Sequence, residues 1–227
     1  MYEFLKDNFF IPLYAITLVV SLLRYNRYYS TSVLKYLPML IAYTMVSEIL
    51  GYFIRDFDSF QIVYGEKYQY ANYIIFNIYD VVFFLYFYVL YWKNIKHKGY
   101  KEIIKYGGVV YIIATVINPF FQNVLIFPQI YASTIGSIVL ILTIFLYYHD
   151  IRGQKQKKYK LLVWISYGLL VFNLFFPMIS ILAYYDYTLY KELNLKQFHY
   201  LLIVITYACF ILGFVLMRPT RSTGDDQ

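Results

Sequence analysis

Two carboxylic acids stand inside long apolar runs of this chain, Glu48 within Tyr36–Ile54 and Asp80 within Ala71–Trp92. An ionisable group in such a run is costly to insert into lipid, and it usually faces a bundle interior or a water-filled cavity. At about 1.5 Å per residue, Glu48 lies roughly 9 Å before the end of its run and Asp80 roughly 14 Å beyond the start of the next. Antiparallel neighbours bring groups at those positions to similar depth. Thr44, Glu48 and Gly51 follow i, i+4, i+7 spacing, as do Tyr73, Asn77 and Asp80, so each set shares one helix face. Asn118 and Asn173 add amides on later runs. Pro119 and Pro177 each lack an N–H, which releases the carbonyls of Thr115 and Asn173. Together these residues describe a polar pocket lined by Tyr and Phe that takes a small ligand or a cation. Two carboxyl groups facing one pocket do not both ionise cheaply, so their titration would belong to the pair. The competing reading is structural, with the same groups hydrogen-bonding helix to helix.

Other chemistries fail on residue type or on place. A zinc hydrolase needs clustered ligands at bonding distance, whereas His97 and His149 fall on one side of the apolar runs and His199 on the other. Tyr79-Asp80 matches half of the intramembrane aspartyl protease signature, and the Gly-x-Gly-Asp half does not occur. There is no Gly-x-Ser-x-Gly nucleophile elbow and no Gly-rich phosphate loop with its lysine. His149-Asp150 reads as a cap at a helix end rather than a catalytic dyad. The single Cys209, between Ala208 and Phe210, excludes an intramolecular disulfide and any Cys-based centre and reads as a core residue. No enzymatic activity, metal or cofactor is expected.

The elements that must position these residues are membrane spans. Of 227 residues 61% are hydrophobic and 15% charged, against about 45–50% and about 25% in an ordinary soluble domain. That balance excludes both a soluble domain and a disordered chain. Seven runs approach the length needed to cross a bilayer: Phe9–Leu23, Tyr36–Ile54, Ala71–Trp92, Tyr106–Phe121, Gln129–Tyr148, Leu161–Tyr185 and Phe198–Met217. They are continuously apolar rather than alternating, which argues against a β-barrel. The expected fold is an all-α, seven-helix membrane bundle over residues 1–217, followed by a disordered tail over 218–227.

Fifteen of the 20 Lys and Arg fall in Arg24–Lys35, Lys93–Lys105, Asp150–Lys160 and the tail from Arg218. By the positive-inside rule this places the N-terminus outside and the C-terminus in the cytoplasm, with the plasma (inner) membrane as the expected location. The formal charge of +7 is then a topology signal with anionic-lipid contacts at the basic loops, and nucleic acid is not an expected partner. Trp92 and Trp164 near the cytoplasmic ends suit the interface. No cleavable signal peptide is apparent, because Glu3 and Asp7 flank Lys6 and Arg24 follows the first run without a small-residue cleavage site.

The first and last three runs share features. Asn72-Tyr73-Ile74-Ile75 with Asp80–Leu85 aligns without a gap on His199-Tyr200-Leu201-Leu202 with Tyr207–Leu212. Ile41-Ala42-Tyr43 parallels Ile165-Ser166-Tyr167, and the first and fifth runs both begin near a proline, Pro12 and Pro128. A parallel 3+1+3 duplication with a connecting fourth helix resembles the architecture of microbial rhodopsins and PQ-loop transporters. Pro128-Gln129 stands where a PQ dipeptide would, while the first run has Pro12-Leu13 instead. A rhodopsin-like pigment would also need a Schiff-base lysine in the last helix, and Tyr200–Met217 has none. The resemblance therefore covers helix number and order. The general alternative is that apolar helices resemble one another by composition alone.

The resulting expectation is a non-enzymatic sensor or receptor-like component that binds its ligand through Glu48, Asp80, Asn77, Asn173, Thr44, Asn118 and Tyr73. Short loops imply a membrane partner protein or a homo-oligomer for output. The alternatives are a proton- or cation-coupled transporter or channel using Glu48 and Asp80, and a structural subunit of a membrane assembly.

Overall fold

The computed structural model describes residues 10–30, 32–56, 73–125, 127–153 and 160–217. The tail 218–227 and the expected outer segments 1–8 and 57–70 lie outside them. Every described element is a helix: α1 (Phe10–Arg24), α2 (Leu37–Asp56), α3 (Tyr73–Asn94), α4 (Lys98–Ile117), α5 (Ile130–Asp150), α6 (Leu161–Tyr185) and α7 (Leu195–Leu216), with a short helix Tyr187–Glu192 between the last two. Six of them, α2 to α7, are long and apolar enough to cross a membrane, which makes this a multi-pass helical membrane protein. With 15 residues α1 is shorter. At about 1.5 Å per residue its α-helical part reaches roughly 22 Å, against a hydrocarbon core of about 30 Å. A π-helical turn, Tyr25–Tyr29, continues it, held where the Tyr29 hydroxyl donates to the Ser21 carbonyl (2.6 Å).

One boundary differs clearly from the sequence reading. The fourth run, Tyr106–Phe121, is short for a span and extends into its basic flank, so that α4 begins at Lys98 and the turn before it is only Ile95–His97. Lysine is a good helix former, and its long stem lies along the helix while the ammonium stays at the surface; Lys101, for example, sits over the Trp92 ring at 5.1 Å. The turn is fixed from outside, because the Asp150 carboxylate accepts from the backbone N–H groups of Lys96 (3.0 Å) and His97 (3.1 Å). Asp150 is thus a cap, as its place in the sequence suggested. Pro177 stands inside α6 without ending it.

α1 packs on α2 and α7, and α5 packs on α3, α4 and α6. The α6–α7 pair is the closest, and small residues allow it. A Cβ on Gly168 would lie 2.9 Å from the Thr206 carbonyl oxygen, and one on Gly213 would lie 2.8 Å from Trp164 Cβ. The core between helices is largely aromatic, with Tyr14, Phe87, Tyr91, Tyr111 and Phe214 almost wholly buried. The outer faces are apolar too, notably along α4, where Val110, Ile113 and Val116 are exposed, as a lipid-facing surface requires. Two of the buried tyrosines spend their hydroxyls on helix contacts: Tyr88 donates to the Gly136 carbonyl (2.7 Å), and Tyr91 shares a bond with Ser166 (2.7 Å).

Candidate functional site

Thr44 and Glu48 lie one turn apart on α2 and turn inward, Thr44 buried and Glu48 half-buried. The Tyr14 hydroxyl of α1 reaches the Glu48 carboxyl. Thr44 Oγ1 donates to the Leu40 carbonyl (2.9 Å) and shares a second bond with the Tyr79 hydroxyl of α3 (3.1 Å). Tyr207 of α7 approaches the same threonine and stands within electrostatic reach of Glu48, and its ring lies 4.5 Å from that of Tyr14. One carboxyl group is therefore enclosed by residues from α1, α2, α3 and α7. Among 30 tyrosines in the chain, nothing in the sequence marks Tyr14, Tyr79 and Tyr207 as the three that meet here.

Asp80 has different company. Its Oδ2 accepts from Ser133 Oγ of α5 (2.7 Å), and Tyr111 of α4 stands within electrostatic reach. The two carboxyls have separate partners, Asp80 on α5 and Glu48 on α1 and α7. The reason is helical: successive side chains point about 100° apart at 3.6 residues per turn, so Tyr79 takes the face toward α2 while Asp80 turns toward α5. Tyr79 lies within reach of both charges and forms the wall between two neighbouring polar sites.

The amides build a third feature. Gln129, which precedes α5, provides no side-chain cap, and the first N–H groups of a helix need acceptors from elsewhere. Asn77 Oδ1 accepts from Gln129 N (2.9 Å), Gln122 Oε1 from Ile130 N (3.1 Å) and Asn118 Oδ1 from Ala132 N (3.1 Å). Asn77 Nδ2 donates to the carbonyls of Val124 (2.7 Å) and Phe127 (3.1 Å), and Gln129 Nε2 donates to the Asn77 carbonyl (2.9 Å). Asn77 and Asn118 are thus brought together by the start of α5. This amide knot ties it to α3 and α4. The absence of Ser, Thr, Asp or Asn at position 129 was a readable sign that distant side chains must cap this helix.

Asn173 is buried within α6; its Nδ2 donates to the Leu169 carbonyl (2.8 Å), while Oδ1 has no hydrogen-bond partner among the described residues. Tyr73 opens α3 beside Tyr187 of the short helix. His149 shares a bond with the Tyr100 hydroxyl (2.9 Å) at the opposite end of the bundle. His199 packs edge-on against Phe172 and Phe176. Among the described residues, no three His, Cys, Asp or Glu side chains are grouped to hold a metal ion. The chain matches no known protein family, no curated protein and no solved structure.

Proposed function

We propose that this protein is a non-enzymatic, seven-span membrane sensor that binds a small cationic ligand at Glu48, in the outer half of the bundle. The observation that carries the reading is the convergence of four helices on that one carboxyl group through Tyr14, Thr44, Tyr79 and Tyr207. A carboxylate among tyrosine rings suits an organic ammonium, since rings attract cations through their faces and the carboxylate balances the charge. A ligand held between helices biases their relative positions by its differential affinity for the two arrangements.

The frame proposed around the site keeps α1 as a full span, the N-terminus outside and the C-terminus in the cytoplasm of the plasma (inner) membrane, and a homo-oligomer or partner protein for output. A parallel 3+1+3 duplication is supported by reciprocal packing, α1 on α7 and α5 on α3. The register that pairs Asp80 with Tyr207 also pairs Tyr79 with Thr206, and the one that pairs Tyr43 with Tyr167 also pairs Thr44 with Gly168. The Thr44–Tyr79 contact is accordingly mirrored where Thr206 Oγ1 meets the Gly168 carbonyl (3.2 Å).

The test is titration of protein in nanodiscs with choline and tetramethylammonium, following tyrosine fluorescence. A saturable change is expected, lost in Glu48→Gln and weakened in Tyr14→Phe. No response to either ion, or an equal response in Glu48→Gln, overturns the reading. Choline flux into proteoliposomes that depends on Glu48 would identify a transporter instead.

A further inference from the structure

We infer that Asp80 forms a second, separate site, for one alkali-metal ion, where α3, α4 and α5 meet. The inference narrows the ligand-binding reading for this carboxylate but uses none of the Glu48 contacts. Ser133 and Ser137 lie one turn apart on one face of α5, both buried. The first donates to Asp80 Oδ2 at 2.7 Å and keeps lone pairs for a cation. From α4, Tyr111 enters the same junction. Its ring lies 5.0 Å from that of Phe84, one turn below Asp80 on α3, and fills the space a side chain on Gly136 would need.

The hydroxyls of Tyr111 and Ser137 are both buried, and neither has a hydrogen-bond partner among the described residues. A buried hydroxyl without a partner is costly. Here two of them border the same junction as a carboxylate. Tyr111 stands within electrostatic reach of Asp80, and Ser137 follows Ser133, the Asp80 partner, by one turn.

The donor set decides the class of ligand. It is all oxygen, which suits a hard cation. It contains one carboxylate, which balances one positive charge in a low-dielectric interior, whereas a divalent ion would leave one charge uncompensated there. Hydroxyl oxygens from Ser133, Ser137 and Tyr111 complete the set without adding charge.

Binding of 22Na+ to the purified full-length protein in detergent tests this, with unlabelled NaCl as competitor and choline chloride holding ionic strength. One saturable ion per chain is expected. Asp80→Asn should abolish it and Ser133→Ala should weaken it about 3–10-fold, the worth of one hydrogen-bonding group. Glu48→Gln should leave it intact. Gel filtration checks the Asp80→Asn fold; should that variant aggregate, Ser133→Ala and Tyr111→Phe decide, and unchanged binding in both overturns the site. Absence of saturable 22Na+ binding, as for a carboxyl that only holds a proton, also overturns it, as does equal loss in Glu48→Gln. Intact 22Na+ binding without any choline response would remove the Glu48 reading and leave this one standing.

Discussion

Gly168 has no room for a side chain, because the atoms its Cβ would meet at 2.9 and 3.0 Å are the carbonyl oxygen and Cα of Thr206. Backbone cannot swing aside, so Gly168→Ala must push α7 off α6. The expected loss is about 1–3 kcal/mol, read as a lower thermal midpoint in detergent. Gly153→Ala, with nothing within 4 Å, is the matched control and should change nothing. Asn118 tests the amide knot. Its loss in Asn118→Ala orphans the Ala132 N–H, which now bonds at 3.1 Å, and should cost about 1–3 kcal/mol. An unchanged midpoint would mean water replaces the amide freely. The sequence marked Asn77 and Asn118 as polar and inward-facing, and that much was legible. It could not tell a ligand contact from a cap, because the groups they satisfy belong to backbone more than a dozen residues away.

At the scale of elements, apolar runs located the helices well because lipid demands continuous hydrophobic length. They ran short where charge can snorkel, at the start of α4, because Lys98, Lys101 and Lys105 interrupt the apolar run that the helix continues. Whether the two carboxyls share a pocket was not legible for another reason: depth is visible in a sequence, but the direction in which α3 rotates Tyr79 and Asp80 is set by packing. A prediction follows for the basic end of the bundle. Burial, and then the neighbouring Lys96, hold the Lys160 ammonium below the usual lysine range, with Asp150 acting in the opposite sense. The unfolded chain therefore binds more protons in the window between the lowered value and the ordinary one. Stability should rise with pH across that window, and the cost of the charge should be felt in full below it. Thermal midpoints measured at increasing alkaline pH should show this rise in wild type and a flatter profile in Lys160→Gln. Two ammonium groups that act on one another electrostatically also suit a lipid phosphate. Phosphatidylglycerol should raise the wild-type midpoint more than that of Lys160→Gln, and equal effects would remove this lipid contact.

For the whole molecule, the lysine and arginine asymmetry makes orientation testable. In a Cys209→Ala background, a cysteine at Thr188 should react with an impermeant maleimide added outside intact cells, and one at Ser32 only after permeabilisation. Labelling of both from one side would overturn the assigned orientation. Assembly in the cell has a timetable that follows from the amide knot. Asn77 and Gln129 are 52 residues apart in the chain, and a ribosome adds about 5–20 residues per second, so roughly 3–10 s separate the synthesis of the two. Val124 and Phe127, its other partners, are 47 and 50 residues away, so for most of that interval the Asn77 side chain lacks every partner of the amide knot. The α3–α4 hairpin is thus a half-finished product until α5 emerges, and slowing translation between them would lengthen the period in which quality control can seize it.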